Sequence, residues 1–281
     1  MWSVIGHSKQ KAYFEAVLRN GSLGHAYLFS GSEMIGKKKF AADLFKIING
    51  RDATENNPDF KLIFPRILEG ETKIYIDDVR EIKSFLSLKP FYGPYKFVII
   101  NNADRMTDDA SNAILKTLEE PAAHSILILI TARPKFLLPT ILSRCETVRF
   151  LPQQEREMAD FIKQGGHKLS AEDLAFVLKL ANGRLGWAIS ALKAGSLDVM
   201  KRSVDDFQQI LKQGVFEKMQ FAKKVYENGD YVSLAGQWLN WAYSFGADDE
   251  KLFKSLLQLN RLLSQPQFNH RLVLENFLVN I

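Results

Sequence analysis

Cysteine is nearly missing: Cys145 stands alone in 281 residues. A single thiol excludes an intrachain disulfide and a four-cysteine metal site, and it fits a reducing compartment. Long apolar runs are missing too. The longest lies around Ile126–Ile130, far short of the ~20 residues a bilayer-spanning helix needs. Met1 to His7 show no charged leader running into an apolar stretch, so a cytoplasmic location with no membrane partner is expected. Charge of one sign is scarcely in excess. Lys and Arg number 37 against 32 Asp and Glu, and residues 1–152 hold +4 of the net +5. An excess this mild suits a solvated surface as well as a nucleic-acid partner. No internal repeat and no low-complexity segment stands out.

What is present is apolar material, 46% of the chain with twenty Phe, enough for more than one core at this length. Through residue 150, short β-rich runs alternate with helical patterns. Ala26–Ser30, Phe60–Phe64, Phe97–Ile100, Ile126–Thr131 and Thr147–Phe150 read as strands. Lys37–Ile48, Ile76–Leu88 and Ala110–Leu118 carry apolar residues at helical spacing. The strands at 97 and 126 are apolar throughout, as a parallel sheet covered on both faces requires. After Pro152 only helical patterns follow, punctuated at Asn182-Gly183, Asn228-Gly229 and Gln265-Pro266. The expected plan is an α/β parallel-sheet domain (1–152), a small helical lid (153–195) and a terminal all-helical domain (198–281).

Residues 31–38, Gly-Ser-Glu-Met-Ile-Gly-Lys-Lys, sit between a strand and a helix, the setting of a phosphate-binding loop. Gly31 and Gly36 would let the backbone curl around an anion, and Lys37 would reach its terminal oxygens. The pattern GxxxxGK[ST] fails at its last position. Lys38 replaces the hydroxyl that should bind Mg²⁺, and an ammonium donates only. Two readings follow: weak or vestigial ATP or ADP binding without assisted hydrolysis, and a strand-turn-helix that binds nothing. The strand that normally supplies acids points the same way. An active P-loop ATPase places an Asp after it to hold Mg²⁺; here Asn101 and Asn102 stand there. Asp104 lies two residues further on, a displacement of roughly 6–7 Å along an extended chain, so a turn or capping role is expected of it. No competent magnesium site, no zinc and no required cofactor are expected.

Asn112-Ala-Ile-Leu-Lys-Thr-Leu-Glu-Glu-Pro121 is the most distinctive stretch, and it resembles the signature NALLKTLEEPP of bacterial clamp-loader subunits, a branch of the AAA+ ATPases. Gly24–Phe29, Ile76–Arg80 and Leu138–Cys145 (LPTILSRC) are similar to further family motifs, in family order. The resemblance is strong over 1–152, moderate over 153–195 and only helical in character beyond. The family holds gamma/tau ATPases, which keep the loop Thr and the acidic pair, and delta-prime subunits, which have lost them; this chain resembles the second kind. It departs from many relatives in having no Cys at all between residues 49 and 60, where they carry a zinc module, and in Ala122 where a second Pro is usual.

The resemblance implies a role in DNA replication within the DNA polymerase III holoenzyme: loading a sliding clamp onto primer-template DNA, together with gamma/tau and delta subunits. No autonomous ATPase activity is implied. It also implies that Arg144, within Ser143-Arg144-Cys145, is an arginine finger reaching a neighbour's ATP. A guanidinium offers fixed donors and a permanent charge to a developing γ-phosphate anion. From the tripeptide alone, a surface salt bridge is the preferred reading of Arg144; its place after Leu-Pro-Thr-Ile-Leu and behind a degenerate ATP site turns the balance toward the finger. Cys145 is assigned packing and no chemistry. Thr131 falls where such proteins keep a polar sensor, and Gly186 falls where the second-sensor Arg would align, with Arg184 two positions early. Arg80, Lys83 and Arg105 are candidate phosphate contacts for DNA, although each taken singly reads rather as an ordinary solvated charge. Trp187, Trp238 and Trp241 read as core rather than as base-stacking platforms. Two other functions fit the same sequence: an active gamma/tau-like ATPase with an unorthodox metal site, and a stand-alone DNA-binding protein.

Overall fold

The computed structural model describes every residue except 69–70, 168, 196, 246–249 and 266; the turn at Pro266 therefore lies outside the described residues. By contact the chain falls into two compact units. The first comprises Met1–Glu157 with Arg184–Gly186, and the second Met158–Gly183 with Trp187–Ile281.

The first unit is built on strands β1 (Ala26–Ser30), β2 (Phe60–Ile63), β5 (Lys96–Asn101), β6 (Ser125–Thr131) and β7 (Glu146–Arg149). They form a five-stranded sheet in the order β2-β5-β6-β1-β7, every neighbouring pair parallel. The short strands β3 (Arg66–Leu68) and β4 (Glu71–Lys73) make a separate antiparallel pair. Helices α1 (Ser8–Arg19), α2 (Lys37–Asn49), α3 (Ile76–Ser87), α4 (Asp108–Glu119) and the short α5 (Pro139–Leu142) complete the unit.

Alternation within each strand explains why both faces are covered. Tyr27, Phe29, Phe97, Ile99, Ile126 and Ile128 pack with Phe14 of α1 and Phe40, Leu44 and Phe45 of α2 in one core. Their neighbours Leu28, Val98, Ile100, Leu127 and Leu129 pack with Val79 and Ile82 of α3 and Ile114 and Leu118 of α4 in the other. A one-residue slip of any central strand would exchange the two sets. The helices start where local chemistry directs. Thr107 accepts a hydrogen bond from Ala110 N (3.2 Å) at the start of α4, where Asp108 and Asp109 also suit the positive end of the helix dipole.

The second unit is helical among its described residues: α6 (Glu155–Gln164) from Met158 on, α7 (Ala171–Ala181), α8 (Leu185–Lys193) from Trp187 on, α9 (Leu197–Ile210), α10 (Val215–Glu227), α11 (Tyr231–Phe245), α12 (Glu250–Leu263) and α13 (His270–Asn280). Its core centres on Phe207, stacked on Trp238 with ring centres 4.4 Å apart, and includes Leu256, Leu259, Leu274 and Phe277. The parallel α/β sheet followed by helices is thus the fold class expected from the alternation of patterns. No described helix is long and apolar enough to cross a membrane.

Candidate functional site: a phosphate loop and its surroundings

The parallel sheet brings the C-terminal ends of β1, β5 and β6 to one edge, where α/β folds place their ligand sites. The loop after β1 runs from Gly31 to Gly36, and Gly36 (φ 105°) opens α2. Gly31 has φ 148°, and a Cβ built on it would lie 2.3 Å from Phe150 O. Only glycine lets the loop leave β1 against that backbone. On its other side the loop is held by His7, whose Nε2–H donates to Ile35 O (2.8 Å); the carbonyl can only accept, which fixes that tautomer. Burial pushes the His7 imidazole below its ordinary pKa.

Lys37 is 5% exposed. Its ammonium donates to Gly31 O and, at 2.6 Å, to Ser32 O. Burial pulls its pKa down to about 8, while Glu33 and Asp104 push the other way. The lysine is therefore committed to two loop carbonyls, and a phosphate could reach it only by displacing them. Lys38 points away from this chemistry: it is exposed and lies over the Phe64 ring, 5.0 Å from its centre.

At the end of β5 the Asn101 amide N–H donates to Asn102 Oδ1 (2.5 Å). Asn102 adopts the left-handed region (φ 54°) and opens a 3₁₀ turn, Ala103–Arg105. Asp104 sits in that turn with its side chain 2% exposed. Sequence reasoning gave it a turn or capping role; the structure gives its carboxylate a larger one. It accepts from Thr131 Oγ1 at 2.6 Å and from Arg133 Nε and Nη2 at 2.9 and 2.7 Å. Thr131 Oγ1 in turn accepts from Arg133 N (2.9 Å). Thr131, the residue in the sensor position, therefore ties the ends of β5 and β6 together through Asp104.

These residues do not fit a nucleotide-bound magnesium ion. Lys38 cannot ligate a cation, the Asn102 oxygen is taken by Asn101, and Asp104 is neutralised by Arg133. Among the described residues no cluster of three or more His, Cys, Asp or Glu could hold a metal.

Residues Arg184–Gly186, where the second sensor is expected, belong by contact to the first unit. Gly186 N donates to Met34 O (2.8 Å), and a Cβ at Gly186 would lie 2.7 Å from that oxygen. A side chain here, arginine included, would require the loop to move. The Arg184 guanidinium is half-buried and its pKa is lowered by that burial, with Glu33 opposing.

Arg144 lies just after α5. Its Nη2 pairs with Glu119 Oε1 at 2.7 Å, the two side chains being 35% and 49% exposed. Its Nη1 donates to Thr140 O (2.9 Å). Glu119 belongs to the LEEP stretch, so the fold joins the two most distinctive motifs, a contact that spacing alone did not reveal. Ser143 hydrogen-bonds Thr140 O (3.1 Å). Cys145 is partly buried against the second core, and burial pushes its thiol up to about 12, consistent with packing and no chemistry. Arg80 pairs with Asp77 at 3.0 Å on the exposed face of α3, and Lys83 and Arg105 are exposed. The structure shows no contact that brings these three cations together.

Residues 6–154 match the family described as DNA polymerase III, delta subunit. The delta' subunit of DNA polymerase III from Bacillus subtilis is 36% identical over 153 residues, which is 49% of this chain and 45% of that protein. The tau subunit from the same organism is 26% identical over 275 residues, 90% of this chain and 48% of that protein. The chain spans about half the length of the curated relatives it matches. Among solved structures, a DNA polymerase III gamma subunit-related protein from Thermotoga maritima superposes with a TM-score of 0.60 at 23% identity, covering 95% of this chain and 97% of that one. That likeness shows that the two chains share a fold.

Proposed function

The chain belongs to the DNA polymerase III, delta subunit family, and from that premise we propose that it is a clamp-loader subunit of the delta-prime type, cytoplasmic and without ATPase activity of its own. It works inside an assembly with gamma/tau and delta subunits that loads a sliding clamp onto primer-template DNA. Its α/β unit retains at most weak or vestigial ATP or ADP binding, with residues 153–195 as a lid and 198–281 as the collar that holds the assembly. Arg144 reaches the ATP of a neighbouring subunit.

The observation that carries this reading is the state of Asp104. The carboxylate nearest the metal position is buried and bound by Thr131 and Arg133. The loop lysine meanwhile bonds to its own loop. The loop lysine and the buried carboxylate are thus both engaged within the chain, the one by its own loop and the other by the edge of the sheet. Arg144 differs. Its ion pair with Glu119 is half-exposed and of the kind worth about 0–1 kcal/mol, so little energy opposes its release toward a γ-phosphate. A guanidinium so placed accelerates related phosphoryl transfers by ~10³–10⁵.

The isolated chain tests the first half. It is expected to show no Mg²⁺-dependent ATP turnover above background. Turnover that rises with Mg²⁺ and disappears in Lys37→Ala would establish the active-ATPase reading in its place.

A further inference from the structure

Asp59 is a buried carboxylate just ahead of β2, at the opposite edge of the sheet from the phosphate loop. Its side chain is 1% exposed, with the Lys96 ammonium 3.6 Å away. It accepts from three successive backbone N–H groups, those of Phe91 (2.6 Å), Tyr92 (2.6 Å) and Gly93 (3.0 Å). Asn49 holds the same loop as well, donating from Nδ2 to Tyr95 O (2.7 Å). Pro90 and Pro94 flank it and restrict its backbone further. What this fixed loop displays is apolar. Phe91 is 72% exposed and Tyr92 53%, the two rings meeting edge to face at 4.6 Å. Leu88, which closes α3, is exposed too. The Arg51 guanidinium lies 4.0 Å from the centre of the Tyr92 ring and steadies it from one face.

A buried charge is costly unless it is bonded, so the bonds to Asp59 set the course of residues 91–93. A lone exposed apolar residue needs no explanation, but a rigid cluster of them marks a docking feature. Rings held before contact lose little entropy when they dock, and aromatic residues and Arg are the strongest anchors of protein interfaces. A nucleic-acid platform is disfavoured by the same residues. Stacked bases need free ring faces and a track of cations, whereas Arg51 already covers one face of Tyr92, and Lys89 is the one cation in Leu88–Tyr95. Position names the partner. β5, β6 and β7 run parallel in one sheet, so the residues that precede them share one edge. Phe91 and Tyr92 precede β5, Glu119 precedes β6 and Arg144 precedes β7. The aromatic pair thus stands on the same edge as the Arg144–Glu119 ion pair, the edge that meets a neighbouring subunit when Arg144 reaches that subunit's ATP.

We propose that Phe91 and Tyr92 are the apolar anchor of that contact, seated in an apolar pocket of the neighbouring gamma/tau subunit whose ATP Arg144 serves. The inference rests on the finger reading for the identity of the partner. Arg144 supplies charge at the phosphate, and the two rings supply the burial that keeps the interface closed around it.

The test follows the full chain, fluorescently labelled, as it leaves its complex with gamma/tau subunits after unlabelled chain is added in excess, with clamp and DNA absent. Phe91→Ala and Tyr92→Ala remove exposed rings and spare the backbone bonds to Asp59, so their melting midpoints are expected to match that of the native chain. Each variant is expected to leave the complex at least about tenfold faster, on the scale of an interface anchor. Phe91→Leu, which keeps apolar bulk, should recover part of the loss, and Lys89→Ala should exchange at the native rate. Native exchange by both alanine variants would overturn the proposal, all the more if retention of primed DNA by the full assembly falls instead, the result of a base-stacking role. The two readings fail separately. Undiminished turnover with Arg144→Ala refutes the finger; native exchange by the ring variants, with Arg144→Ala still lowering turnover, refutes the anchor alone.

Discussion

Asp104→Asn separates the two roles an acid at this position can play. The substitution keeps shape and removes charge. In the native protein the carboxylate takes three hydrogen bonds, one from Thr131 and two from Arg133. An amide keeps one acceptor oxygen and turns an NH₂ toward the remaining donors. Bonds to a charged group contribute about 1.5–3 kcal/mol each, but Arg133 is half-exposed and its share falls toward the ~0.2–1 kcal/mol of surface pairs. The expected loss is about 2–3 kcal/mol. With a urea dependence of about 2–3 kcal/mol/M for a domain of this size, the unfolding midpoint of the first unit should fall by about 1 M. The charge of Asp104 also supports the Lys37 ammonium, so the Lys37 pKa should drop below its present value of about 8. The assay is urea unfolding followed by a probe in the first unit, together with nucleotide binding measured with and without Mg²⁺. An unchanged midpoint combined with a lost magnesium response would refute the reasoning, because it would make Asp104 a metal ligand.

The remaining predictions come from the same edge of the sheet. Lys37 has a folded pKa of about 8 against an ordinary 10.5, so between those values the unfolded chain holds a proton that the folded chain has released. Stability should therefore rise with pH across that window, by at most about 3 kcal/mol before solvent screening is discounted. Urea midpoints of the native chain and Lys37→Met at pH 7 to 10.5 should differ in slope, the variant lacking this rise. Gly31→Ala places a Cβ 2.3 Å from Phe150 O, a backbone atom that cannot rotate away. It should cost at least about 3 kcal/mol, seen as a lowered melting temperature or loss of folded protein. Arg144→Ala removes a half-exposed ion pair and an exposed hydrogen bond to Thr140 O and should cost about 1 kcal/mol or less of stability, read from the melting midpoint.

How much of this was legible in the sequence follows from the range of each interaction. The central strands were readable because burial on both faces demands unbroken apolar runs, as in Phe97–Ile100 and Ile126–Ile130. Helix α1 was less so: Ser8–Arg19 places only Phe14 and Val17 fully inside, a thin stripe among lysines. The pair β3–β4 is short and fully or partly exposed, with no alternation to betray it. The losses at Lys38, Asn101 and Asn102 could be read directly, since a metal site needs particular side chains at fixed positions. The partners of Asp104 and Arg144 could not. Thr131 meets Asp104 because β5 and β6 run parallel in one register, with Asn101 opposite Ile130. Glu119 meets Arg144 because α4 and α5 pack together. Sequence spacing carries neither fact.

The central claim is that this chain lends a cation to a site it does not own. The direct measurement is ATP turnover by a mixed assembly of this chain with gamma/tau and delta subunits, clamp and primed DNA, comparing native protein with Arg144→Ala after assembly has been verified by size. The account predicts an intact assembly in which the neighbour's turnover drops by at least about tenfold, within the scale of known arginine fingers. Undiminished turnover in a fully formed assembly would contradict it.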